Sequence, residues 1–204
     1  TELQEISEEI SEQIPSVPSY FDSNVDDVIV KARQDISEVG LNGDNFIFIT
    51  DMHWENNIKN SPAIIKKICK NVNISSVVFG GDAINGQANQ DDARRFFSEI
   101  SAGLKQADSN FVSVFGNHDR NSADGGTVFS QNNFYARMQK SADRFAHHGG
   151  LTYFYFDNPS TNTRYIVLDS YIDYTISSTQ SSWFEQTIAN TDNNINVVVF
   201  VHSY

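Results

Sequence analysis

The sequence predicts an α/β fold built on a parallel sheet, and three observations predict it. Three short apolar runs, at 46–49, 77–79 and 111–115, recur every 30–35 residues or so, about the length of a strand-helix-strand unit, with an amphipathic stretch between each pair. Each run ends abruptly in polar residues: Thr50-Asp51-Met52-His53, Gly80-Gly81-Asp82 and Gly116-Asn117-His118-Asp119. In a parallel sheet the C-terminal strand ends share one edge, where such folds carry their chemistry. The composition agrees: 204 residues, 39% hydrophobic and 20% charged, suit one sizeable domain with a real core.

The chain opens with an acidic arm. Leu3, Ile6, Ile10 and Ile14 share a helical face until Pro15 and Pro18 stop it. A second helix carries Val25, Val28, Ile29, Ala32, Ile36 and Val39 as its stripe, closed by Gly40. Residues 1–43 thus read as a helical arm packing on the domain, which occupies 44–204.

Phe46-Ile47-Phe48-Ile49 fits a buried strand. A helix follows from Ser61-Pro62, a cap with proline in the first turn, burying Ile64, Ile65, Ile68 and Cys69. Val77-Val78-Phe79 is the second strand. The next helix, near 91–106, buries Phe96, Phe97, Ile100 and Leu104. The third strand is 111–115, whose glycine permits a tight turn into the polar tip.

The rhythm then changes. Residues 132–146 read as a helix with Phe134, Met138 and Phe145 inward, and His147-His148 as cations at its C-terminal dipole. Strands at 151–156 and 165–168 flank Asn158-Pro159-Ser160 as a hairpin. A short helix at 181–189 carries Trp183, Phe184 and Ile188. A last apolar strand, 197–201, ends in His202.

The totals exclude several functions. A formal charge of −12 argues against a protein that grips nucleic acid through its phosphates. No apolar run approaches the ~20 residues of a membrane span, and the acidic N-terminus is no signal peptide, so a cytoplasmic protein is expected. The single cysteine, Cys69, excludes an intrachain disulfide and a zinc-thiolate site; it reads as a small buried hydrophobe.

Asp51, His53, Asp82, Asn117, His118 and His202 all fall at strand ends, taking three of the five histidines. Oxygen and imidazole donors without thiolate suit Mn, Fe, Zn or Ni better than Ca or Mg. A carboxylate shared by two divalent ions would let both bind about 3.5–4 Å apart and act on a phosphate. Trp54, Glu55, Asn56, Asn57, Arg120 and Asn121 flank these motifs and are placed near a substrate mouth by position alone. Asp169 reads as a turn residue and Arg94-Arg95 as solvated.

This ordered set resembles the calcineurin-like metallophosphoesterases over residues 44 to the end. The matching motifs are Asp51-Met52-His53, Gly81-Asp82, Gly116-Asn117-His118-Asp119 and Val201-His202, with Val167-Leu168-Asp169-Ser170 and Ser182-Trp183-Phe184 between them. The resemblance implies a two-sheet β-sandwich flanked by helices (α/β/β/α) that hydrolyses a small phosphate mono- or diester. It implies that Asp51 and His53 hold one ion, that Asp82 bridges two, and that Asn117 and His202 hold the second. His118 would face the substrate, oriented and charged by Asp119, while a metal-bound hydroxide attacks phosphorus. Two departures stand out. Asn85 occupies a place that is often acidic in the family, and the Gly-His-x-His segment that closes the family's site does not occur in these residues. The expectation is a fragment whose metal site is incomplete, and the rival reading is a non-catalytic module that keeps the fold.

Overall fold

A computed structural model describes residues 17–39, 43–55, 59–108, 110–123, 128–170 and 175–203. The N-terminal stripe from Leu3 to Ile14, Gly40, and Asn56 and Asn57 lie outside them. Three parallel strands, β1 (Phe46–Ile49), β2 (Ser76–Phe79) and β3 (Val112–Ser113), form one sheet in the order β1-β2-β3. Helices α1 (Ser19–Val39), α2 (Ser61–Asn71) and α3 (Gln90–Ala107) precede the three strands in turn. The strand-helix-strand rhythm of the sequence is therefore the topology of this sheet.

The second sheet holds β4 (His147–His148), β5 (Phe154–Asn158), β6 (Thr163–Val167) and β7 (Asn196–Phe200), in chain order. β5 and β6 are the expected antiparallel hairpin, while β7 runs parallel to β6 after the crossover helix Ser178–Ala189. His147 and His148 are a short strand paired with Tyr155 and Phe154, not a helix end, which corrects the reading from the dipole. The expected helix at 132–146 is broken into an α turn, a π turn (Tyr135–Gln139) and a 3₁₀ turn (Lys140–Arg144). Buried Gln139 lies at the break. Its Nε2 donates to the Ser113 carbonyl of β3 at 2.8 Å and to the Thr152 carbonyl, in the bend before β5, at 3.1 Å.

Strand periodicity decides which core each residue joins. Val77, Phe79, Phe111 and Phe115 face α2 and α3 with Phe97, Ile100 and Leu104. Val78, Val112 and Val114 point the other way and meet Phe154, Phe156, Tyr165, Val167 and Phe200 of the second sheet. β2 is thus buried on both faces, as a central parallel strand must be. β1 is an edge strand, so its expected burial holds only in part. Phe46 and Phe48 are 36% and 50% exposed while packing their rings against Phe200. α1 seats Val25 and Ile29 on α2, but its Val28 and Val39 are exposed.

One carboxylate ties the sheets together at the end opposite the polar loops. Asp44 accepts from Asn158 Nδ2 at 2.9 Å, from Thr161 Oγ1 at 3.0 Å, and from the hydroxyls of Ser75 and Tyr165. Burial alone would push its pKa up; the four donors outweigh it and hold the group below the usual aspartate value. Among the described residues no helix is long and apolar enough to cross a membrane.

Candidate metal centre

The three loops after β1, β2 and β3 meet at one edge. Asp51 N–H donates to the Gly81 carbonyl at 2.9 Å, and His53 N–H to the Asp82 carbonyl at 3.3 Å. These backbone bonds lay the first motif along the second. Asp51, His53 and Asp82 each offer a ligand atom within 4.8 Å of the others. All three adopt left-handed backbone, with φ of 55°, 42° and 56°. Residues with a Cβ avoid that region, and strain of this kind gathers at functional sites. The turn chemistry that aims these donors inward is therefore held by the surrounding structure, not by local preference.

Asp82 is the centre of the cluster and only 3% exposed. Its Oδ1 accepts the His118 backbone N–H at 3.0 Å, and its Oδ2 lies 3.2 Å from His202 Nε2 and 3.9 Å from His118 Nε2. The loops approach so closely that Gly116 faces Asp82 directly: a Cβ there would overlap the Asp82 amide and carboxylate. His53 and His118 place their rings 5.3 Å apart. Asn117 stands on the same loop, half-buried, opening the 3₁₀ turn His118–Arg120. Asp51, His53, Asp82 and His202 therefore meet at this edge, and Asn117 lies on the third loop beside them.

His202 donates from Nδ1 to the Gly80 carbonyl at 2.8 Å, which leaves Nε2 aimed at Asp82. A histidine that gives its other N–H to a carbonyl is pre-set in the tautomer metal ligands use. The hydrogen bond to Asp82 holds the His202 pKa at about 9, against the desolvation that opposes it. Asp119 is pushed up to about 8 by complete burial and by the neighbouring Asp82 charge, which the amides of Gly116, Ala83 and Asp82 resist.

Both shifts have one sign for stability. A group whose pKa rises on folding stabilises the chain fully below its unfolded value and loses that contribution as pH climbs through the folded value. The metal-free chain is therefore expected to melt at progressively lower temperature as pH rises, with the His202 part of the loss falling between 6.5 and about 9. Calorimetry across that range checks it, and a flat or rising melting temperature would contradict it.

Asp119 does not do what the sequence suggested. Its Oδ1 accepts from Ala83 N–H at 2.7 Å, and its Oδ2 from Gly116 N–H at 2.9 Å and Asp82 N–H at 3.0 Å. The carboxylate clamps the second and third loops together; it does not orient the imidazole. His118 Nδ1 is instead 2.6 Å from the Asn85 carbonyl. Trp54 also departs from its expected place at the mouth: it is 5% exposed in the helix-side core, with Nε1 donating to Glu99. Asp169 is a buried tie. Its carboxylate accepts from Gln131 Nε2 at 2.7 Å and from the Thr152 hydroxyl. Arg94 and Arg95 pair with Asp91, Asp92 and Glu99 of their own helix. Cys69 is half-buried and its thiol is pushed up to about 11, chiefly by desolvation, so it is inert.

Two residues that sequence reasoning placed only by position matter to the site. Asn121, fully buried and left-handed, accepts from Ala88 N–H at 2.9 Å and donates to the Ala88 carbonyl at 2.6 Å, which joins the 85–88 loop to the His118 turn. Glu55 accepts the Asn85 N–H. A carboxylate two residues after the first motif carries no periodic signal that could have revealed this.

The fold and this edge define a class, an α/β sandwich with an oxygen-imidazole centre suited to divalent cations. The sequence profile of the calcineurin-like phosphoesterases matches residues 45–204, and the chain belongs to that family. The family's members are generally metal-dependent phosphoester hydrolases. Among curated proteins, none matches the chain.

Proposed function

We propose that this chain hydrolyses a small phosphate mono- or diester with two divalent ions, Mn, Fe, Zn or Ni. The observation that carries the reading is the convergence of Asp51, His53 and Asp82 within one ligand shell's reach, with His202 against the same carboxylate. The donor set fits such ions: one exposed and one buried carboxylate, imidazoles, and no thiolate. In this reading Asp51 and His53 hold one ion, Asp82 is shared, and Asn117 and His202 hold the other.

Bound divalent ions would supply a water made nucleophilic near neutral pH and positive charge for the phosphoryl oxygens. The chain's own residues do the rest. Asp82, held by the His118 amide, would present its carboxylate to the ions. The Gly80 carbonyl keeps His202 from turning. His118 is half-exposed at the rim, where it can meet a substrate oxygen. Its Nδ1 faces a carbonyl, so Nε2 is the nitrogen left to exchange a proton or donate to the phosphate. The net charge of −12 favours a small ester over a nucleic-acid strand.

Hydrolysis of a nitrophenyl monoester and a nitrophenyl diester with added Mn, Ni or Zn tests the reading and separates the two substrate classes. His118→Ala is expected to keep the metal content of the parent and to lower turnover about 100-fold or more. Turnover retained by that variant would refute the role given to His118. Tight metal binding by the parent with no turnover on either ester would favour a non-catalytic module on the same fold.

A further inference from the structure

We propose that Glu55 is a positioning residue for His118, acting through Asn85; this rests on the proposed phosphoesterase reading. Asn85 lies against His118, but its side chain is turned onto its own loop. Asn85 Oδ1 accepts the Gln87 N–H at 3.0 Å, closing a turn on its own backbone. The imidazole is met instead by the Asn85 main-chain carbonyl, 2.6 Å from Nδ1. A carbonyl can only accept, so this contact puts the hydrogen on Nδ1 and leaves Nε2 toward the centre.

What holds Asn85 therefore sets the imidazole. Its N–H is received by both oxygens of Glu55, at 3.0 and 3.1 Å. Hydrogen bonds to an ionised acceptor are roughly twice as strong as neutral ones. Glu55 follows the Asp51-His53 motif on the same loop, so one segment supplies ligands to the centre and the anchor for the residue facing the substrate. The Glu55 carboxylate thus reaches the ring through one intervening residue, Asn85.

Glu55→Ala and Glu55→Gln in the whole chain test this. Glu55→Ala is expected to lower kcat on a nitrophenyl ester about tenfold, with metal content unchanged and KM moved less than about twofold. Glu55→Gln keeps an oxygen able to receive the Asn85 N–H and is expected to recover most of the loss. A second arm needs no turnover. Ring ¹⁵N spectra should show the neutral His118 ring with its hydrogen on Nδ1 in the parent and in Glu55→Gln, and a mixture of tautomers in Glu55→Ala. An unchanged tautomer in Glu55→Ala overturns the proposal, as does a Glu55→Gln variant as impaired as Glu55→Ala. If no ester is hydrolysed but the tautomer shifts, the phosphoesterase reading fails and the positioning of His118 stands.

Discussion

Replacing Asp119 with alanine is expected to destabilise the chain by about 4 kcal/mol, a large part of the 5–15 kcal/mol that holds a typical domain folded. The reason is the set of groups it leaves behind. Asp119 is fully buried and receives the amides of Asp82, Ala83 and Gly116. Truncation orphans all three in an interior where each costs roughly 1–3 kcal/mol, and it opens a gap between the loops. Asp119→Asn keeps one acceptor oxygen but turns an NH₂ toward an amide donor, so it should cost about half as much. Denaturant midpoints at constant m-value measure both. If Asp119 served only to charge His118, both variants would leave stability unchanged, and that result would sink the clamp.

Asp82→Asn is expected to do the opposite, abolishing metal uptake while leaving the fold intact. Asp82 is the carboxylate within ligand reach of Asp51 and His53 and the one that faces His202 and His118. Its amide isostere removes the charge that would hold divalent ions. The same change is well accommodated in the metal-free chain. The Asn oxygen can still receive the His118 amide, and the new NH₂ can donate to His202 Nε2, because Nδ1 gives its hydrogen to Gly80. It also removes the negative charge that raises the buried Asp119 carboxyl. Metal analysis should find no bound ion, and the melting temperature near pH 8 should stay within a few degrees of the parent, about 1 kcal/mol in free energy. Because Asp82 is the first cause of the raised His202 pKa, the decline in stability between pH 6.5 and about 9 should shrink in this variant. Retained metal would remove Asp82 from the centre of the site.

Function and stability thus draw on neighbouring carboxylates in different ways. Asp82 sits buried beside a second carboxylate, an arrangement that is costly without cations and useful with them. Asp119 keeps the loops closed around it. That division also explains why Gly116 must lack a side chain, since the clamp brings its backbone against Asp82.

The sequence by itself determined the first sheet, the hairpin and the edge on which the chemistry gathers. An apolar run of strand length, ending in Asp, His or Asn, reports local burial followed by local exposure, and both are properties of a few consecutive residues. Val77-Val78-Phe79 and its Gly81-Asp82 tip needed nothing more. The ordered motifs carried the family, and three of their residues, Asp51, His53 and Asp82, come within ligand reach of one another.

Only the tertiary structure decided which atoms those side chains meet. Phe46 and Phe48 look as buried as Val77 and Phe79 in sequence, yet β1 lies at the edge and they do not share the same burial. The helix written into 132–146 is broken where Gln139 turns to bond β3 and the bend before β5. Asp119 adjoins His118 in the chain but points to amides from a loop some 35 residues earlier, and Glu55 reaches His118 only through Asn85. Hydrogen-bond partners depend on how loops from distant strands are brought together, and hydrophobic periodicity, which records one segment's own burial, holds no information about that approach.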